Sequence, residues 1–300
     1  MNADSMSEPE SHAPAGRSAL GTWALRILPS GARVALRGMR DGAARRHLKL
    51  AWMRWRIDLA SQRPRRARFE GYTVRIRDGA SFYMAYKDIF VRRIYHFESP
   101  RPDPRVLDCG SNIGISILYF KRVYPSARVT AFEADPAIFA ELEETMRANR
   151  LTDVRLVHAA LGATPGMATL YSDESVGSFV SEADGPPPPG WSRHQVAQVR
   201  LSDHLAEPVD FLKMNIEGAE WEVLSECGER LRQVREMVIE YHHLPRLPRT
   251  LHRILELLDG LGFQYLINDF DAETNGGVVP PFHLDPESRY FLLIYARRVA

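Results

Sequence analysis

A glycine loop supplies the first sign of chemistry in this chain. The stretch LDCGSNIGIS, residues 107–116, places Gly110 and Gly114 four residues apart, directly after the carboxylate of Asp108. An apolar run typical of a strand precedes the loop, and a run typical of a helix follows it. A glycine loop in that position is typical of a nucleotide-like cofactor site, because backbone amides at the start of the helix can approach a ligand closely.

The spacing of the glycines bears on which cofactor is bound. A dinucleotide loop reads G-x-G-x-x-G, whereas this loop reads D-x-G-x-x-x-G. Asp108 places a negative charge where a pyrophosphate would lie, and that charge suits the ammonium and sulfonium groups of S-adenosylmethionine. Glu133, at the end of the second predicted strand, can accept hydrogen bonds from ribose hydroxyls of either ligand. The loop therefore favours S-adenosylmethionine, and an NAD-dependent oxidoreductase is the alternative.

A second group of polar residues follows the later predicted strands. Glu217 lies in a turn after the fourth strand, and Glu240 and His242 alternate along the fifth, so they share one face of it. With an ordinary pKa near 6.5, the imidazole of His242 is a candidate general base, and a surface histidine is the equal alternative. Lys213 interrupts an apolar strand, so a structural ion pair with Glu217 or Glu240 is the alternative to a catalytic role.

Alternating strands and helices must position these residues. From Arg105 onward the predicted strands are RVLDC, RVTAFEA, VRLVHAA, VDFLKMN and REMVIEY, with helices over 113–124, 136–149, 219–226 and 249–261. Such alternation predicts an α/β fold with a parallel sheet covered on both faces. Two final strands, FQYLIND and YFLLIYARRV, have no helix between them and predict an antiparallel edge.

Two segments outside this alternation could shape an acceptor pocket. Before it, YTVRI and SFYMAY predict a strand pair, and KDIFVRRIYHF predicts a short helix. Within it, residues 172–194 are long and rich in proline and glycine, which predicts a lid or a disordered insertion with equal weight. Phe179 and Trp191 are the residues of that segment that could close over a ligand.

The remaining organisation is read from composition and charge. Residues 1–16 predict a disordered tail, residues 17–68 a basic helical arm, residues 69–100 a strand and helix extension, and residues 101–300 the main domain. The arm holds fourteen basic and two acidic residues in a chain of net charge +1. It either packs as a solvated face or contacts an anionic surface, and no nucleic-acid partner is expected. Two cysteines, no secretory signal and no long apolar run predict a cytoplasmic protein.

Four motifs in order resemble the FkbM family of S-adenosylmethionine-dependent methyltransferases. They are VLDCGSNIG, AFEADP, FLKMNIEGAE and VIEYHH, and the similarity runs from about residue 87 to about residue 262. The resemblance implies a Rossmann-like class I methyltransferase fold, with a mostly parallel sheet and an antiparallel C-terminal edge. The helical basic N-terminal arm precedes the part of the chain that the resemblance covers. It also implies transfer of methyl to a hydroxyl of a glycan or a secondary metabolite.

The resemblance also assigns residues. The methionine end of the cofactor would be held by Asp108, Gly110, Ser111, Asn112 and Gly114, the ribose by Glu133 with Ala134, and the adenine would lie near His158 and Ala159. The family has Asp where this chain has Asn215, and a neutral amide beside Lys213 disfavours a divalent cation. We therefore expect catalysis without a metal, with Glu217 or His242 as base and Asn215 orienting a substrate. A catalytically silent cofactor-binding partner protein is a further alternative.

Overall fold

The computed structural model describes residues 65–173, 178–181, 186–187, 189–245, 248–269 and 289–298, together with residues 48, 50, 51 and 53. The chain divides into two compact units, Met1–Trp55 and Arg56–Ala300. In the first unit the four described residues are helical. The predicted tail, 1–16, and most of the basic arm lie outside the described residues, so those two assignments stay predictions.

The second unit alternates strands and helices along most of its length. Its described strands are Arg65–Phe69 (β1), Tyr72–Ile76 (β2), Arg105–Cys109 (β3), Arg128–Glu133 (β4), Val154–His158 (β5), Ala160–Leu161 (β6), Gly166–Ser172 (β7), Ser178–Ser181 (β8), Ser192–Val199 (β9), Val209–Met214 (β10), Val234–His243 (β11), Phe263–Asp269 (β12) and Tyr290–Arg298 (β13). Its described α-helices are Gly79–Ala85 (α1), Ile115–Val123 (α2), Pro136–Ala148 (α3), Glu220–Cys227 (α4) and Leu251–Gly260 (α5), with a π-helix at Tyr86–Arg92 and 3₁₀-helices at Leu201–His204 and Gly228–Gln233.

The main sheet has seven strands in the order β12-β13-β11-β10-β3-β4-β5. The five strands from β11 to β5 are parallel neighbours, and β13 runs antiparallel between β11 and β12. Every residue of β10 is buried, as expected for a strand covered on both faces. The predicted mostly parallel sheet with an antiparallel C-terminal edge is confirmed, and this strand order is that of the Rossmann-like class I methyltransferase fold.

The segment before the main sheet differs from its prediction. SFYMAY is not a strand but belongs to α1, because the carboxylate of Asp78 accepts hydrogen bonds from the backbone N–H groups of Ala80 and Ser81 and so caps a helix there. The partner of β2 is β1, which pairs with it in an antiparallel register. Residues 65–68, which the sequence placed in the helical arm, are therefore strand.

The long segment 172–194 also differs from its prediction. It holds β8 and the start of β9, which join β6 and β7 in a separate four-stranded sheet of order β6-β9-β7-β8. The strand β8 pairs antiparallel with β7, so this part of the segment is neither disordered nor an irregular loop. The backbone pairing with β7 satisfies the amide groups that a loop would leave to water.

A buried apolar cluster lies between the main sheet and helices α4 and α5. Leu212 and Met214 of β10 contribute to it, together with Leu224 of α4 and Ile254 and Leu258 of α5, all fully buried. Burial of such side chains contributes about 1.5–3 kcal/mol each and fixes β10 relative to β11. Among the described residues no helix combines the length and the apolar character needed to cross a membrane.

Candidate functional site

A cleft of about 510 Å³ lies at the carboxyl ends of the parallel strands. The glycine loop, the end of β4, and the ends of β10 and β11 line one side of it, and α1 with the π-helix lines the other. Ligands of open parallel sheets bind at this edge, where the strand order reverses on either side of β3. The cleft is therefore the place to examine each residue that the sequence singled out.

The backbone of the glycine loop is hydrogen-bonded to the end of β4. Gly110 (φ 78°) and Asn112 (φ 47°) have left-handed backbones, and the N–H groups of Gly110 and Ser111 both donate to the carbonyl of Phe132, at 3.0 and 2.9 Å. A Cβ at position 110 would lie 1.7 Å from the carbonyl oxygen of Asn215. Gly110, Ser111 and Asn112 line the cleft as predicted, and Gly110 is needed because β10 ends against it.

Gly114 does not contribute to the lining of this cleft, contrary to its predicted role in holding the cofactor. It precedes α2 with φ of 91°, and a Cβ there would lie 2.7 Å from Met146 Cε and 2.8 Å from Leu142 Cδ1. Its small size lets α2 start close to α3. The physical reason for glycine at this position is therefore helix packing.

Glu133, at the end of β4, faces the cleft as predicted. Its two carboxylate oxygens accept hydrogen bonds from the N–H groups of Asn112 and Asp135, both at 2.9 Å. Burial raises the pKa of Glu133 to about 7, although these two hydrogen bonds oppose the rise. Each oxygen keeps acceptor capacity for a ribose hydroxyl. Ala134 and Ala159 line the same part of the cleft.

His158 does not line the cleft, although the sequence placed it near the adenine. Its side chain is exposed and stacks on Phe139 of α3, with ring centroids 4.4 Å apart. The side chains of β5 alternate between the two faces of the sheet, and His158 points to the outer one. Its neighbour Ala159 lines the cleft, so the packing of His158 on Phe139 does not favour its predicted role near the adenine, which stays a prediction.

Asp108 and Lys213 form an ion pair beneath the glycine loop. Lys213 Nζ lies 3.3 Å from Asp108 Oδ1 and donates to the carbonyls of Cys109 and Gly110. Ser116 Oγ donates to Asp108 Oδ2 at 2.5 Å, whereas Oδ1 accepts no hydrogen bond among the described residues. The contact with Lys213 is thus mainly electrostatic.

This ion pair bears on two predictions. Asp108 is fully buried and does not line the cleft, so its role at the methionine end of a cofactor stays a prediction. Lys213 pairs with Asp108 rather than with Glu217 or Glu240, because β3 and β10 are neighbours and the two residues are register partners. The ion pair instead stabilises the glycine loop, because Lys213 donates to the carbonyls of Cys109 and Gly110.

Asn215, Glu240 and Tyr95 form a hydrogen-bonded group that lines the cleft at the ends of β10 and β11. Glu240 is buried and accepts from Asn215 Nδ2 at 2.8 Å and from the hydroxyl of Tyr95. Burial raises the pKa of Glu240, and the charge of Lys213 opposes that rise. Asn215 Oδ1 is buried and has no partner among the described residues. It can therefore accept a hydrogen bond from a bound molecule. Sequence reasoning missed Tyr95, for which no local pattern gave a signal.

His242 is held between two carboxylates. Its Nδ1 lies 2.9 Å from Glu220 Oε1 and its Nε2 lies 3.6 Å from Glu217 Oε2. Burial lowers the pKa of His242, but Glu220 and Glu217 outweigh it and raise the pKa to about 9. The raised pKa favours the protonated imidazolium, which has no free lone pair, and His242 does not line the cleft. Both features disfavour His242 as the base, and its role stays a prediction.

Glu217 does face the cleft. Its backbone is left-handed, with φ of 55°, and 32% of its side chain is exposed. Burial raises the pKa of Glu217, while the charge of His242 lowers it. Of the two bases suggested by the sequence, Glu217 is the one that lines the cleft.

The opposite wall of the cleft comes from outside the main sheet. Phe82 of α1 and Ile89 of the π-helix line it, together with Phe179 of β8. The ring of Phe179 lies 5.5 Å from those of Tyr171 and Trp191. Phe179 thus reaches the ligand space, as the sequence suggested, and Trp191 acts through its contact with Phe179. Among the described residues no group of three or more His, Cys, Asp or Glu side chains could hold a metal ion.

Comparison with known proteins agrees with this geometry. Strand order, loop and cleft define the Rossmann-like class I fold of S-adenosylmethionine-dependent methyltransferases. The family model for the methyltransferase FkbM domain matches residues 108–265, slightly more than half of the chain. The chain therefore belongs to the FkbM methyltransferase family, its cofactor is S-adenosylmethionine, and the oxidoreductase alternative is set aside.

Individual relatives share between 27% and 31% sequence identity with this chain over the matched residues. Methyltransferase 1 of Beauveria bassiana is 31% identical over 160 residues, 46% of this chain, and the match covers 64% of that protein. The 31-O-demethyl-FK506 methyltransferase FkbM of Streptomyces tacrolimicus is 27% identical, covering 64% of this chain and 86% of that protein. The 2-O-methyltransferase NoeI of Sinorhizobium fredii is 28% identical, covering 60% and 79% respectively.

Proposed function

We propose that this protein transfers the methyl group of S-adenosylmethionine to a hydroxyl oxygen of a glycan or a secondary metabolite, without a metal ion. The observation that carries the proposal is a set of side-chain oxygens that can accept hydrogen bonds at one end of the cleft. The carboxylates of Glu217 and Glu240 and the unpartnered oxygen of Asn215 all border it. Three such oxygens suit a hydroxyl, which must be oriented by hydrogen bonds and must lose a proton.

The residues of the chain have distinct roles in this reaction. When bound, S-adenosylmethionine supplies a methyl group on a positively charged sulfonium. Glu217 accepts the hydroxyl proton, because its carboxylate borders the cleft and its raised pKa makes it a stronger base than an exposed glutamate. Asn215 orients the hydroxyl through Oδ1, since its Nδ2 is engaged by Glu240. In-line displacement depends largely on such positioning, and the enclosed cleft keeps water from competing.

The arrangement around Asn215 supports a reaction without a metal. A hard divalent cation prefers several charged oxygen ligands, whereas Asn215 is neutral and Glu240 already accepts hydrogen bonds from Tyr95 and Asn215. Lys213 adds a positive charge on the same strand, two residues before Asn215. These features disfavour a cation at the end of β10.

The acceptor class follows from the wall opposite the sheet. A cleft lined by both an aromatic ring, Phe179, and carboxylates suits a polyhydroxylated ring, whose C–H groups pack on aromatic surfaces while its hydroxyls donate hydrogen bonds. Two relatives carry names that specify O-methyl transfer, one on FK506 and one at a 2-O position. Both names support an oxygen acceptor for this chain.

The test is transfer of radiolabelled methyl from S-adenosylmethionine to a panel of monosaccharides, oligosaccharides and hydroxylated secondary metabolites. We expect a labelled ether product that Glu217→Gln reduces by at least 100-fold, in keeping with the loss of a general base. Glu256→Gln, on the exposed part of α5, is the matched control. Tight cofactor binding without turnover of any acceptor would instead support the silent partner protein.

A further inference from the structure

The turn after β10 carries Glu217 in an unusual backbone. Glu217 (φ 55°) and Gly218 (φ 105°) are both left-handed, which a glutamate rarely adopts. The N–H of Gly218 donates to Glu220 Oε1 at 3.1 Å, and the same oxygen lies 2.9 Å from His242 Nδ1. One buried carboxylate oxygen thus holds both the turn and the imidazole.

His242 then connects Glu220 to the cleft. Glu220 is 1% exposed and His242 8% exposed, whereas Glu217 is the member of this group that borders the cleft. The ring of His242 also packs edge-on against Phe291 of β13, with centroids 5.1 Å apart. The imidazole is therefore fixed on three sides, and its Nε2 points towards Glu217.

We infer that Glu220, His242 and Glu217 act together as a carboxylate–imidazolium–carboxylate group, here called the relay. In the relay, His242 and Glu220 are positioning residues. They keep Glu217 ionised and oriented towards the acceptor hydroxyl. The inference rests on the proposed function, because it assigns a means of control to the same base. In the reaction, the acceptor oxygen bonds to the methyl carbon while the carbon–sulfur bond breaks, and the hydroxyl proton passes to Glu217.

The charges around Glu217 explain why the relay is needed. Glu220 on α4 and Glu240 on β11 face it and raise its pKa, as burial does. His242 on β11 and Lys213 on β10 lower its pKa. Lys213 is engaged by Asp108, so His242 is the cation that contacts Glu217. Without the imidazolium, Glu217 would retain a proton at higher pH and would lose its function as a base.

A titration of His242 tests the relay without any acceptor. The probe is the full chain with labelled histidine, bound to S-adenosylhomocysteine, and the resonance of His242 is identified by its loss in His242→Gln. We expect a midpoint near pH 9, lowered by about 1–3 units in Glu220→Gln. If Glu220→Gln does not fold, Glu217→Gln replaces it in this titration, because the side chain of Glu217 is partly exposed. A midpoint at or below the ordinary 6.5 would overturn the relay.

The rate–pH profile tests the consequence for catalysis, using the acceptor found in the methyl-transfer screen. In His242→Gln the loss of activity on acidification should begin about 1–3 pH units higher, with KM for S-adenosylmethionine changed less than twofold. The matched control is His243→Gln. His243 is equally buried on the opposite face of β11 and stacks on Tyr290, and it should leave the profile unshifted.

The two measurements separate this inference from the proposed function. If no acceptor is methylated while His242 titrates near pH 9, the proposed function fails and the coupling of the three side chains stands. If methyl transfer occurs and His242→Gln leaves the acidic side of the profile unchanged, the relay is refuted and the proposed function stands.

Discussion

Replacing Lys213 by methionine removes a buried cation from beneath the glycine loop. Lys213 is 3% exposed and Asp108 fully buried, so the variant leaves the carboxylate of Asp108 without the charge 3.3 Å away. Breaking a buried pair by removing one partner typically costs about 3–5 kcal/mol, because the remaining charge cannot be hydrated. We expect the free energy of unfolding to fall by that amount.

Lys121 provides a matched control for this substitution. It is also a buried lysine, 4% exposed, and lies 2.6 Å from Asp153, but the side chain of Asp153 is 48% exposed. Water can hydrate Asp153 when Lys121→Met removes the cation, so the loss should be only about 1 kcal/mol. The comparison isolates the burial of the partner from the loss of the lysine itself.

The assay is urea-induced unfolding followed by tryptophan fluorescence, with the slope of each transition compared. The double variant Asp108→Asn with Lys213→Met should recover part of the loss, because no buried charge is left unpaired. Equal losses for Lys213→Met and Lys121→Met would refute the reasoning. So would a double variant no more stable than Lys213→Met alone.

Other outcomes follow from the same geometry. Glu133→Ala should weaken binding of S-adenosylmethionine by about 1.5–3 kcal/mol in calorimetry, and binding to the native chain should weaken as pH falls through about 7, where Glu133 gains a proton. Gly110→Ala should not fold, since its Cβ would lie 1.7 Å from the carbonyl oxygen of Asn215, whereas Gly228→Ala, with no atom within 4 Å, should lower the free energy of unfolding by only the backbone strain of about 1–3 kcal/mol. Chelator treatment should leave methyl transfer intact and Asn215→Asp should not raise it; activity lost with chelator and restored by Mg²⁺ would contradict this. Deletion of residues 17–55 should leave cofactor binding unchanged but reduce association with anionic vesicles at low salt, and an unchanged association would remove the idea of anionic docking.

Local sequence patterns predicted most of the main sheet. The strands RVLDC and VDFLKMN fall within a residue of β3 and β10, because a strand buried on both faces is mostly apolar. The same reasoning failed for SFYMAY, where the carboxylate of Asp78 favours a helix over the strand that its aromatic residues suggested. It also missed β8, a short strand that pairs antiparallel with the nearby β7, because the surrounding proline and glycine residues favoured a loop.

The sequence by itself determined the cofactor class. The spacing of the glycines within ten consecutive residues, 107–116, was sufficient, because those residues form the loop. Only the tertiary structure decided which side chains perform chemistry. Lys213 pairs with Asp108 from a strand more than one hundred residues away, and Glu240 is bound by Tyr95, 145 residues distant. His242 gained two carboxylate neighbours that keep it protonated. Burial and charge act over a few ångströms in space, so the pKa of a side chain depends on neighbours that chain order does not reveal.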